Sequence, residues 1–134
     1  MNYWLLKTEP DSYSWDDLVK DKKTVWDGVR NFQARSNMKK MEKGDVVFVY
    51  HTGEEKAIVG QAQVTKSAYP DPKDAEWVVI ELSAGKSLKK TVSLAQIKSD
   101  KRLSDMVLVR ASRLSVQPVK PSEYDLIMGL SEAK

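Results

Sequence analysis

The stretch Val46-Val47-Phe48-Val49-Tyr50 constrains this chain more than any other. Its residues are β-branched or aromatic, and it is apolar on both faces, with Val46, Phe48 and Tyr50 on one side and Val47 and Val49 on the other. That is the pattern of a strand buried on both sides, running from about Asp45 to His51. His51 then points opposite to Tyr50.

Weaker strand signals surround it. Tyr3 to Thr8 mixes aromatic and aliphatic residues and stops at Glu9-Pro10, because proline cannot continue a ladder. Further strands are expected from about Ala57 to Lys66, from Trp77 to Leu82, and at Leu114-Ser115-Val116, with Tyr69-Pro70-Asp71-Pro72 as a rigid loop. Short helices punctuate them. Ser14 and Asp17 form one capping pair, and Ser93 and Gln96 another. Asn31 is placed to cap a helix in which Ala34, Met38 and Met41 fall at i, i+4 and i+7, ending before Gly44. Pro121-Ser122 opens a last helix through Leu126, Ile127 and Leu130. The long strand-helix alternation of a doubly wound parallel sheet is missing, so the expected class is α+β, with a small barrel or strongly bent sheet.

At 134 residues, with no internal repeat and no composition shift, the chain is expected to form one domain over 1–134. The absence of cysteine removes disulfides, thiolate zinc sites and a cysteine nucleophile. No run approaches the roughly 20 apolar residues of a membrane helix, and Met1-Asn2-Tyr3-Trp4 opens no leader-like segment. The expectation is an unprocessed, soluble, monomeric protein of the cytoplasm, or of the nucleus in a eukaryote. No membrane partner is expected.

Catalytic signatures do not occur: no phosphate-binding loop, dinucleotide fingerprint, nucleophile elbow or His-Glu-x-x-His helix. One histidine and no cysteine leave zinc to carboxylates, and neither metal nor cofactor is expected. His51 could act as a general base, but a lone histidine at a strand end is more often a hydrogen-bonded structural residue.

The net charge of +3 is small, but its distribution is uneven. Lys20 to Lys43 holds eight basic residues against three acidic ones, and Lys86 to Arg102 six against Asp100 alone. Such runs are either solvated surfaces or, if they meet, a footprint for phosphate, with Arg35, Lys39 and Lys40 on the second helix as the contact candidates.

Four tryptophans and five tyrosines supply flat surfaces, and a base held by a protein needs a π-face with donors or acceptors at its rim. Core packing is the simpler role for Trp4, Trp15 and Trp77. Trp26 is evenly balanced between packing and stacking, since Asp27, Gly28, Arg30 and Asn31 surround it with polar, turn-forming neighbours.

The blocks Tyr3-Trp4-Leu5-Leu6-Lys7-Thr8-Glu9-Pro10, Trp26-Asp27-Gly28-Val29-Arg30-Asn31 with Ala34 and Arg35, Gly44-Asp45, Tyr50-His51, Ala68-Tyr69-Pro70-Asp71 and Arg113-Leu114-Ser115-Val116-Gln117-Pro118 resemble the EVE domain family. This is a thymocyte nuclear protein-like group of the PUA-like superfamily. The six blocks keep the family's order over nearly the whole chain. The resemblance implies a PUA-like β-barrel flanked by short helices, related to the YTH readers of methylated adenine. It also implies a non-enzymatic module that accepts a modified base of DNA or RNA.

By position, the resemblance assigns Trp26, Val29, Arg30, Asn31, Tyr50 and His51 to the pocket and Lys7, Ser12, Tyr69, Arg113 and Ser115 to its rim. Phe32 and Thr52 depart from the family's frequent tyrosine and serine, and Phe32 thereby removes a hydroxyl. Tyr50 and His51 cannot both face one pocket on a regular strand, and the strand is expected to end near Tyr50. The rival functions are a generic RNA-binding domain indifferent to modification, and an enzyme acting on modified nucleotides through His51.

Overall fold

The structure is a computed structural model that describes residues 2–132. Six strands form one mixed sheet: β1 (Tyr3–Thr8), β2 (Lys23–Trp26), β3 (Val46–His51), β4 (Ala57–Asp71), β5 (Asp74–Ser93) and β6 (Val116–Val119). Their order is β2-β5-β4-β3-β1-β6. Among the described residues, only β1 and β3 run parallel; the remaining neighbours are antiparallel.

The both-sided strand lies near the middle, as its apolar pattern requires. On one face, Trp4 and Leu6 of β1 and Val47 and Val49 of β3 pack under Trp15 and Leu18 of α1 (Trp15–Asp21) and Ala34 and Met38 of α2 (Phe32–Lys40). On the other, Leu5, Phe48 and Tyr50 meet Ile97 of α3 (Leu94–Ser99), Leu108 of α4 (Val107–Arg110) and Ile127 of α5 (Pro121–Glu132). Each such aliphatic or aromatic side chain contributes about 1.5–3 kcal/mol when fully buried, so β1 and β3 anchor both cores.

The sheet bends where its register slips. Val49 pairs with Gly60 and Tyr50 with Ile58, which leaves Val59 as an extra residue on β4, and the β4–β5 ladder shifts at several further points. Bulges of this kind kink a strand and increase its twist. Gly60 sits at this bend for a steric reason: a Cβ there would lie 2.3 Å from Cε2 of Trp15. The edges are the four-residue strands β2 and β6, and β6 can hold Pro118 because an edge position leaves its missing N–H harmless.

Several expectations are corrected. The sheet is an open, bent one with β2 and β6 at its edges, and the barrel is not closed by pairing among the described residues. Tyr69, Pro70 and Asp71 belong to β4 instead of a loop, since the β4–β5 hairpin extends to Asp71 and Asp74 and turns through Pro72-Lys73. β5 continues past Leu82 to Ser93, and β6 begins at Val116 instead of Leu114. β3 reaches His51 instead of ending near Tyr50. The helix starts at Ser14, Asn31 and Ser93 are as expected, each with its capping hydrogen bond.

Candidate functional site

A cleft of about 720 Å³ opens beside the end of β1, and three segments build it. The first is the turn after β1. The N–H groups of Ser12 and Tyr13 both donate to the Glu9 carbonyl at 2.9 Å, and the Thr8 hydroxyl donates to the Tyr13 carbonyl at 2.6 Å. This fold of the chain holds Tyr13 just ahead of the Ser14 cap.

The second segment is β2, whose residues Thr24, Val25 and Trp26 line the cleft. The third is Asp27-Gly28-Val29-Arg30, where Gly28 adopts φ +77, a conformation that side chains resist. Val29 then turns inward and is buried, while Arg30 stays at the surface.

Tyr13 meets Trp26 edge to face, with centroids 6.1 Å apart and an interplanar angle of 85°. The Tyr13 hydroxyl donates to Asp21 Oδ2 at 2.9 Å. Burial raises the phenol above its ordinary value against an opposing Thr24 hydrogen bond, with a smaller upward contribution from Asp21. Tyr13 therefore stays neutral at physiological pH. The rim carries two cations, Lys7 and Arg30, and two carboxylates, Glu9 and Asp27. Burial lowers the Lys7 ammonium from its usual value, and its Nζ donates to the Ser112 carbonyl. Arg30 reaches the Val29 carbonyl at 3.1 Å and Asp71 at 3.4 Å.

Of the sequence-assigned residues, Trp26, Val29, Arg30, Lys7, Ser12 and Ser115 come together in this cleft. The others stand elsewhere. The Asn31 side chain is occupied in accepting the Ala34 N–H at 2.9 Å. Tyr50 faces the second core and a smaller cavity of about 270 Å³ shared with Lys7 and Lys56, where burial raises its phenol.

His51, 8% exposed, accepts the Trp15 N–H at Nε2 (2.9 Å), and its Nδ1 lies 2.7 Å from Glu55. Nε2 thus ties the end of β3 to α1, and Nδ1 ties it to the turn that leads into β4. Tyr69 is covered by Lys66, whose Nζ is 4.4 Å from the ring centroid. Arg113 is exposed, as are Lys39 and Lys40. Arg35 does not project freely: it is half-buried and donates to the Glu76 carbonyl at 2.7 Å.

Sequence reasoning missed Tyr13, Thr24 and Val25. Tyr13 lies next to a helix cap and carries no pattern of its own. Lys23-Thr24-Val25-Trp26 is too short and too mixed to announce an edge strand. Trp77, expected in the core, is half-buried on the surface against Phe32.

Among the described residues no cluster of His, Asp or Glu could hold a metal ion, and no helix is long and apolar enough to cross a membrane.

The profile of the EVE domain matches residues 2–130. Human thymocyte nuclear protein 1 is 32% identical over 98% of this chain and 74% of its own length. The fold superposes on the solution structure of Rpa0253 from Rhodopseudomonas palustris with a TM-score of 0.93 and 44% identity, covering 98% of this chain and 93% of that one. It superposes equally well, at 0.92 and 30% identity over 100% of this chain and 99% of that one, on human THYN1 protein crystallised in complex with 5-methylcytosine-containing DNA.

Proposed function

This chain belongs to the EVE domain family, and on that premise we propose that it is a non-catalytic nucleic-acid reader that holds one modified base in the cleft between β1, β2 and the Gly28 turn. The base class we propose first is 5-methylcytosine, because a homologue is known bound to DNA that contains it.

The observation that carries this reading is the character of the cleft. Trp26, met edge-on by Tyr13, offers an aromatic surface, and the rim balances two cations against two carboxylates. A site for a bare phosphate would carry excess positive charge. A neutral base with both donors and acceptors suits a balanced rim. Asp27 or Glu9 can accept from the exocyclic amino group of cytosine, and Arg30 or Lys7 can donate to its carbonyl oxygen. Val25 and Val29 supply apolar contact for a ring methyl. A base of this size enters only from a single strand or after flipping out of a duplex. His51 contributes no proton transfer here, since its Nε2 is engaged by the Trp15 N–H and its Nδ1 by Glu55.

The test is a set of titrations against single strands that differ only at one cytosine: unmodified, 5-methylated, or carrying another modification. The expected result is a preference for one modified strand that persists as salt rises, while both absolute affinities fall. Equal affinities across the set would leave a generic nucleic-acid binder in place of a reader.

A further inference from the structure

We infer that the surface beside the cleft, formed by Phe32, Trp77, Arg35 and Arg30, is a second subsite that stacks the nucleobase next to the one held in the cleft. This inference rests on the reading of the cleft as a base site. It starts from an anomaly: Phe32 is 63% exposed, the most exposed large apolar side chain among the described residues, at the first turn of α2. Val25, 46% exposed, lies in the cleft itself, so two of the three such side chains border the same region.

The geometry around Phe32 leaves one of its faces free. Its ring stacks on Trp77 with centroids 5.3 Å apart at 25°. The Arg35 guanidinium carbon is 4.9 Å from the Phe32 centroid and 5.1 Å from that of Trp77. These three nearly equal spacings place Arg35 beside the two rings. A guanidinium on the far face of Phe32 would stand about twice the ring spacing from Trp77. Arg35 is thus kept off the far face of Phe32, and with the residue 63% exposed that face can take a third ring, which would continue a stack already two rings deep.

Charge selects the occupant. Arg35 donates to a backbone carbonyl and has no carboxylate partner within ion-pair distance among the described residues. The helix that carries Phe32 and Arg35 also holds Lys39 and Lys40 and no acidic residue. An aromatic face edged by uncompensated guanidinium fits a base followed by a phosphate, and such stacking tolerates any base. Arg30 makes the subsite continuous with the cleft: it lines the cleft, and its guanidinium carbon lies 5.5 Å from the Trp77 ring. Consecutive nucleotides of one strand can thus occupy both places.

The experiment uses two short single strands with a central 5-methylcytosine, one flanked by thymines and the other by abasic nucleotides, which keep the phosphates and remove the stackable rings. Against the thymine-flanked strand, Phe32→Ala should lose roughly ten-fold or more in affinity, and Phe32→Tyr should restore it. Against the abasic-flanked strand, Phe32→Ala should bind as the parent does, and its melting temperature should match the parent's. Equal losses on both strands, or no loss on either, would overturn the stacking subsite while leaving the cleft intact. A third strand, thymine-flanked with a plain central cytosine, tests the cleft separately: if the parent binds it as it binds the methylated strand, the cleft reading falls, yet a Phe32→Ala loss confined to base-flanked strands still supports the platform. A parent that binds no strand overturns both.

Discussion

Trp15 and Trp26 pack against the same core and do opposite things. Trp15 is 4% exposed, lies directly on Gly60 at the bend of β4, donates from its indole to the Ser87 hydroxyl at 2.8 Å, and gives its backbone N–H to His51. Both of its N–H groups are used, and Gly60 has room for no side chain beneath it. Trp26 sits on an edge strand, touches the core with part of its ring, meets Tyr13 edge-on, and turns the rest toward the cleft. Residue type alone does not distinguish a packing tryptophan from a ligand-facing one. What differs is closure: Gly60 of β4, Ser87 of β5 and His51 at the β3 terminus all meet Trp15, whereas β2 has a neighbour on one side only.

The largest expected effect comes from breaking the enclosed site. Trp15→Ala should destabilise the fold by about 3–5 kcal/mol, read as a fall in the denaturation midpoint at constant slope. A loss of under about 1 kcal/mol would mean that the region around Gly60 collapses onto the vacancy, and that the two tryptophans are more alike than their surroundings suggest.

Next, Trp26→Ala should weaken binding of the preferred strand by about 1–3 kcal/mol with a small change in melting temperature. If the melting curve shifts as far as that of Trp15→Ala, Trp26 is a core residue and the cleft loses its aromatic wall.

A third test lies in the sealed interior, at Asp45. Its buried carboxylate accepts from the Trp4 indole at 3.0 Å, the Glu42 N–H at 2.9 Å and the Asn2 N–H at 3.1 Å. Burial pushes this carboxyl up, but those donors outweigh it and hold it below its ordinary 3.8. A folded-state value below the unfolded one gives stabilisation that is complete above the unfolded value and is lost as pH falls through the folded one. Asp45→Asn should therefore cost about 1–2 kcal/mol at neutral pH and flatten the acid limb of stability below pH 3.8. An acid limb identical to the parent's would show that other carboxylates carry it.

The smallest effect sharpens the open side. Replacing Arg35, Lys39 and Lys40 with glutamine should lower the salt dependence of binding by up to about two units of slope, roughly 0.7 per phosphate contact on a single strand, with the preference among bases unchanged. An unchanged slope would turn this helix toward solvent or a protein.

Much of the frame was legible because it is local and periodic. Apolar residues on both sides of Val46 to Tyr50 can be satisfied only by burial on both faces, and that is where β3 lies. Ser14 with Asp17, Asn31 with Ala34, and Ser93 with Gln96 cap within four residues, so sequence spacing alone implies their hydrogen bonds. The same locality explains why Trp26, Gly28, Val29 and Arg30 were legible as neighbours at one turn.

What the tertiary structure alone decided is who meets them there. Tyr13 faces Trp26 because α1 returns the chain to pair β2 with β5. That ladder joins Lys23–Trp26 to Ile80–Ser83, more than fifty residues apart, with no periodicity strong enough to announce it. Tyr50 and His51 are adjacent in sequence and sit on opposite faces of the sheet, and the bulge at Val59 leaves them there. Sequence determines what each short segment prefers. Which segments are brought together, and which face of Trp26 or Phe32 is left open, depends on strand order and bulges that no local preference encodes.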